Sequence, residues 1–271
     1  MKKIILLIFT LLFLNLGILY AGYPIGKGRT ALCLTTSYFY SDSYYDLNWK
    51  KQGSPNIFSS YYLSTFIGHG ISRRLDVFGS LPYVFETSKN DTIILKRNGF
   101  SDVQLGFAYT LHNKFFNKYT SFKVVGIFPV SHGSNPMSLS YDSKGIEYTI
   151  NYSSSPKLFS GKGNFIEGTY RHYFATDGPD QYILTVQHFK TIMHYTYLTY
   201  GMNITYSQST NTFNQLINNS SKDFFNLQLK FDLCRKVRRN LSLYFEGYYT
   251  PIGKNTGAGI GASIFGVLRL P

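Results

Sequence analysis

The chain has 271 residues, a formal net charge of +13 and only two cysteines. So few cysteines exclude a disulfide-stabilised scaffold, and the lack of any run of 18 apolar residues beyond residue 22 excludes a bundle of membrane helices. Aromatic residues make up 18% of the sequence, with 24 tyrosines. Tyrosine suits a membrane–water interface because it joins an apolar ring to a polar hydroxyl.

The first 21 residues have the organisation of a cleavable signal peptide. Lys2 and Lys3 give a cationic start, residues 4–19 are almost wholly apolar, and small residues follow at Ala21 and Gly22. We therefore predict a signal peptide over 1–21 and one exported domain over 22–271. The alternative is an uncleaved anchor, for which the apolar run is slightly short.

From residue 30 onward, apolar and polar residues alternate over segments of about ten residues, the period of a β-strand with one apolar face. The clearest segment is 225–234, in which Phe225, Leu227, Leu229, Phe231 and Leu233 alternate with Asn226, Gln228, Lys230 and Asp232. Twelve strands are predicted, near 30–41, 57–70, 76–86, 100–111, 119–130, 145–154, 163–174, 181–190, 195–208, 223–235, 241–252 and 258–270. Twelve such strands behind a signal peptide predict an all-β fold, a single transmembrane antiparallel up-and-down β-barrel in a bacterial outer membrane.

The lengths of the connections predict how the barrel is oriented. Short basic links are expected at 72–75, 112–118, 156–162, 191–194 and 236–240, and longer Ser-, Asn- and Gly-rich links at 41–56, 87–99, 131–144 and 209–222. Outer-membrane barrels have short periplasmic turns and longer external loops, so both chain ends are predicted to be periplasmic. The basic residues of the short links would contact anionic lipid headgroups or, alternatively, draw anions toward a pore mouth.

The polar side of the predicted strands faces the lumen, and in six of the strands it carries charged residues. The candidates for lining the lumen are Asp102, Lys123, Glu147, Glu167, Arg171, Lys230, Asp232 and Glu246. Glu167 shares one strand face with Arg171, and Lys230 shares another with Asp232. These residues would form either a salt-bridged plug or the wall of a solute path.

Other residues at the lumen-facing positions of the predicted strands are aromatic or carry thiols. The aromatic ones are Phe39, Tyr62, Phe66, Phe165, Tyr173, Tyr197, Tyr244 and Tyr248, and they favour a narrow or gated channel over a broad porin. Cys33 and Cys234 are expected to be free thiols facing the lumen, because their strands lie too far apart for a disulfide.

Several segments resemble known outer-membrane protein families. The segments GHGISRRLDVFGSLPY at 68–83, GFSDVQLGFAY at 99–109 and VVGIFPV at 124–130 resemble the meta-pathway phenol-degradation family, and GKNTGAGIGA at 253–262 resembles an XagA-like group linked to exopolysaccharide genes. The resemblance implies an outer-membrane barrel that passes hydrophobic or aromatic solutes. It carries no functional residues over to this chain.

The sequence thus predicts a porin-like channel or transport protein for small solutes in a Gram-negative outer membrane. The alternative is a non-conducting structural or surface-binding barrel linked to envelope or exopolysaccharide functions. Catalysis is not predicted, since the six histidines show neither metal-ligand spacing nor a nucleophile motif, although a lipid-modifying enzyme is a third hypothesis. No cofactor, metal or nucleic acid is expected. The expected partners are membrane lipids, lipopolysaccharide, periplasmic chaperones and the barrel-assembly machinery.

Overall fold

A computed structural model describes residues 24–90, 93–113, 118–130, 143–154, 162–175, 178–209 and 223–271. Within these ranges the strands are β1 Thr30–Tyr45, β2 Lys51–Gly70, β3 Leu75–Lys89, β4 Ile94–Phe100, β5 Val103–Asn113, β6 Lys118–Phe128, β7 Gly145–Ser154, β8 Lys162–Tyr173, β9 Asp180–Met193, β10 Thr196–Gln208, β11 Phe224–Arg238, β12 Leu241–Lys254, β13 Thr256–Gly257 and β14 Ile260–Leu270. No helix in this part of the chain is long and apolar enough to cross a membrane.

The strands form one closed antiparallel barrel. Strand β1 pairs with β2 on one side and with β14 on the other, in a register that runs from Thr30 opposite Leu270 to Tyr40 opposite Ile260. Strands β4 and β5 follow one another along β3, and β13 and β14 follow one another along β1, so the wall is twelve strands wide. The predicted twelve-stranded barrel is confirmed, and closure pairs the edges that an open sheet would expose.

The outer surface of the barrel is apolar. On β11, Leu229, Phe231 and Leu233 are 49%, 55% and 37% exposed, whereas Asp232 and Cys234 on the other face are buried. Outward apolar residues of β5, β10 and β12 are exposed in the same way. Hydrocarbon offers no hydrogen bonds, so apolar side chains over a fully paired backbone are what a bilayer requires. This surface and the fold place the chain in a bacterial outer membrane.

Two of the predicted long loops are wrong, because they are mostly strand. Strand β1 continues to Tyr45 and β2 begins at Lys51, so only a tight turn remains of the link 41–56. Similarly, β3 and β4 occupy most of 87–99. These stretches are rich in weak strand formers, and cross-strand pairing overrides that preference. The predicted links 131–144 and 209–222, and the short links 112–118 and 156–162, lie largely outside the described residues.

Residues 24–29 run inside the end of the barrel at which β1 begins and β14 ends. The amide of Ile25 donates a hydrogen bond of 3.0 Å to Asp76 Oδ2, and the amide of Gly28 donates one of 2.7 Å to the carbonyl of Gly70. A Cβ at Gly68, on the inner face of β2, would lie 2.5 Å from Ile25 Cδ1. This short N-terminal segment therefore narrows one mouth of the barrel. The alternation of apolar and polar residues did not predict this inward segment.

Candidate solute path along the inner wall

Strand alternation sets the face that each charged residue occupies, and its position along the strand sets its depth in the membrane. Seven of the eight candidates lie within strands, and Asp102 is buried at the two-residue break between β4 and β5. Lys123 lies between Phe122 and Val124, and Lys230 lies between Leu229 and Phe231. These neighbours point outward at the depth of the apolar surface, so the charges sit on the inner face within the membrane thickness. Charged groups at that depth are stabilised only by one another, by polar groups or by water.

A first charged cluster joins β6, β7 and β8. Lys123 Nζ lies 2.7 Å from Glu167 Oε2, and this pair spans the inner face of β7. Arg171 donates from Nε and Nη2 to Glu147 Oε2, at 2.9 and 2.6 Å. Between the two pairs, the Thr149 hydroxyl donates a hydrogen bond of 3.4 Å to Glu147 Oε1 and lies 2.9 Å from the hydroxyl of Thr169. The cluster is a continuous polar strip along one wall.

A second charged cluster lies on β11 and β12. Lys230 Nζ is 3.2 Å from Glu246 Oε2, and Ser263 Oγ lies 3.4 Å from the other oxygen of that carboxylate. Asp232 sits directly opposite Glu246 in the strand register and is only 6% exposed. Its Oδ1 has no hydrogen-bond partner in the described part of the chain.

The ion pairs form between strands rather than along them. The sequence placed Glu167 with Arg171 and Lys230 with Asp232, but the partners are Lys123, Glu147 and Glu246. Same-face residues two apart on a strand are separated by about 6.6 Å, and those four apart by twice that. Arg171 faces Glu147 directly across two strands, where Cβ atoms are only about 5 Å apart. Lys230 reaches Glu246 diagonally, since its direct partner in the register is Tyr248, and Lys123 reaches Glu167 across β7.

A cavity of about 390 Å³ opens on the inner face beside the second cluster. We call it the aromatic–amide cavity. It is lined by the aromatic residues Phe39, Phe58 and Tyr248, by Asn226 and Gln228, and by Ser60, Thr250, Thr256 and Gly257. The sequence predicted the inward parity of Phe39 and Tyr248. It gave no sign that the polar residues of β11 converge with them, because that depends on how β1, β2, β11 and β12 curve around the barrel.

The remaining inward residues include rings and thiols. Phe165 and Phe189 form a small buried cluster with Tyr197 packed against it. Cys33 and Cys234 are both free thiols, as expected from the separation of their strands. Within the described residues, no group of three or more His, Cys, Asp or Glu side chains is arranged to hold a metal ion.

Comparison with known proteins identifies the fold. No family model and no curated protein matches the chain. An outer-membrane channel from Pseudomonas putida F1 superimposes with a TM-score of 0.76 at 13% identity, covering 93% of this chain and 100% of that one. The NanC porin gives 0.54 at 12% identity, with coverage of 89% and 100%. The β domain of the Bordetella autotransporter BrkA gives 0.53 at 11%, with coverage of 90% and 100%. The chain has the fold of outer-membrane β-barrels.

Proposed function

We propose that this protein is an outer-membrane channel for small solutes. The observation that carries the proposal is the accessibility of the charged clusters. The side chains of the three ion pairs keep between 13% and 30% exposure, although they lie at the depth of the apolar outer surface. A salt-bridged plug would bury them. Their exposed surface on the inner face indicates space for water and solute along the wall.

The solute class, the export route, the orientation and the lining residues of the channel are proposed from the sequence. The resemblance to the meta-pathway phenol-degradation and XagA-like families favours hydrophobic or aromatic solutes, and the inward rings are compatible with them. Export would use the signal peptide over 1–21 and leave the barrel domain 22–271. Periplasmic chaperones and the barrel-assembly machinery would then deliver it to a membrane containing lipopolysaccharide, with the chain ends in the periplasm. The eight charged candidates would line the solute path.

Conductance in planar bilayers tests the channel. Folded protein, verified by heat-modifiable migration on a gel, is expected to give unitary current steps. Glu167→Gln leaves Lys123 without its partner and should shift ion selectivity toward anions, whereas Lys123→Met should shift it toward cations. Lys190→Met, which removes an exposed lysine from the outer face, is the matched control and should leave selectivity unchanged. Folded protein without current steps would contradict the channel and favour the non-conducting barrel.

A further inference from the structure

Two parallel aromatic rings in the aromatic–amide cavity lie over glycines of the barrel wall. Phe39 and Tyr248 flank β14 and are both opposite Gly261 in the strand registers. Their rings are parallel within 5°, with centroids 6.2 Å apart. A Cβ at Gly261 would overlap the Tyr248 ring, and one at Gly259 would overlap the Phe39 ring. Each ring therefore occupies the space over a glycine of the wall that a side chain there would otherwise fill.

Hydrogen-bonding groups face the same space. Asn226 and Gln228 project from β11, and hydroxyl side chains of β2, β12 and β13 complete the rim of the cavity. Asn226 Oδ1 is buried and has no hydrogen-bond partner among the described residues. Because this oxygen is buried, the polar contacts open to a ligand are those of the other lining groups, chiefly Gln228 and the rim hydroxyls. The volume of about 390 Å³ lies within the range of small-molecule sites.

The cavity carries no free charge. None of the residues that line it is ionisable to a charged form near neutral pH. The adjacent cation, Lys230, is 6.0 Å from the centre of the Tyr248 ring and is held by Glu246. The hydroxyl of Tyr248 lies 3.4 Å from Ser37 Oγ, which helps to fix the ring. The site therefore favours a neutral ligand over an anion.

We propose that this cavity binds a neutral sugar ring. A pyranose has apolar C–H faces, which match the flat faces of Phe39 and Tyr248, and an edge of hydroxyl groups, which match Asn226, Gln228 and the rim hydroxyls. A phenol would also stack on the rings, but its single hydroxyl would leave most of these polar groups without a partner. The proposal gives the proposed channel a neutral sugar in place of the hydrophobic or aromatic solutes that the family resemblance favours, and in that respect it rests on the channel.

Binding can be measured without relying on conductance. The probe is methyl α-glucopyranoside, added to the full-length barrel in a detergent that contains no sugar. Saturation-transfer NMR should show magnetisation passing from protein to the ring C–H protons. Tyr248→Leu and Asn226→Leu should each weaken binding by roughly tenfold, because each removes one of the two recognition elements. Tyr249→Leu, which removes the adjacent ring that points outward, should bind as the wild type does.

The outcomes separate this inference from the channel. Folded wild-type protein that shows no transfer to the glucoside, or equal transfer in Tyr248→Leu, would overturn the sugar site. Phenol that displaces the glucoside at lower concentration would overturn it in favour of an aromatic ligand. Binding by a barrel that shows no current steps would support the site and contradict the channel. Current steps without glucoside binding would support the channel and contradict the sugar site.

Discussion

At several inner positions a glycine decides how closely two strands approach. Gly201 on β10 lies opposite Gln187 of β9. A Cβ at Gly201 would overlap the carbonyl oxygen of Val186 and lie 2.8 Å from Gln187 Cα. These are backbone atoms, so the ladder itself would have to move. Gly247, on the outer face of β12, has nothing within 4 Å of the corresponding position.

We therefore expect Gly201→Ala to destabilise the barrel by about 1–3 kcal/mol, the usual cost of overpacking. Gly247→Ala should leave the stability unchanged within about 0.5 kcal/mol. The measurement is urea unfolding in lipid vesicles, with the folded fraction read from unheated gel migration. Equal stability of the two variants would show that the β9–β10 ladder relaxes freely.

Parity along a strand predicts which face a residue occupies, but not which residue lies across from it. The position of Arg171 on β8 was readable from the sequence, whereas its contact with Glu147 depends on the register of β7 against β8. Register follows from hairpin geometry, which the sequence of one strand does not specify. The three ion pairs could not have been assigned for that reason.

Among the elements, the hairpin of β1 and β2 differs most from the prediction. Its turn is organised by Asp46, whose Oδ1 accepts hydrogen bonds from the amides of Asn48 and Lys50 at 2.8 and 2.9 Å. Trp49 takes a positive φ of 66° in this turn, and its ring packs 4.9 Å from that of Phe225. The alternation of apolar and polar residues predicted where strands exist. It did not predict where β1 ends and β2 begins, because the strand residues next to the turn are mostly polar and do not alternate with apolar ones.

The Asp46 turn should depend on pH. The hydrogen bond from the Lys50 amide is the largest cause that holds the pKa of Asp46 below its usual value. A lowered folded pKa means that the carboxylate stabilises the turn fully above the ordinary value of about 4 and loses this effect as pH falls through the lower folded value.

An NMR titration checks this prediction. The carboxyl carbon of Asp46 and the amide proton of Lys50 should share one midpoint below the ordinary aspartate pKa. In Asp46→Asn the oxygen can still accept the hydrogen bonds, so the amide signal should persist without that titration. A midpoint at or above the ordinary value would contradict the proposed role of the Lys50 amide.

On the scale of the whole molecule, the barrel holds a piece of its own chain in one mouth. A hydrogen bond from the Ile25 amide to the Asp76 side chain helps to hold this segment. We expect Asp76→Ala to release it, so that trypsin cuts after Lys27 and Arg29 about tenfold faster, the effect of losing one hydrogen bond to a charged group.

Asp76→Asn is the matched control for that experiment, since its side-chain oxygen can still accept the bond. Mass spectrometry during a time course of digestion gives the rates. If Asp76→Ala is cut no faster than the wild type, the other contacts of the segment, such as those with Gly70, are sufficient to hold it.

The seam of the barrel joins the first strand to the last, with Thr30 paired to Leu270. Nearly the whole chain lies between these two partners, so the seam is the contact of longest sequence separation and carries the largest loop-closure cost. It cannot form until the last strand has been made and exported. A truncated chain would present β1 and β12 as open edges, which invite aggregation and proteolysis. Closure of the barrel therefore distinguishes a chain that includes β14 from one that stops before it.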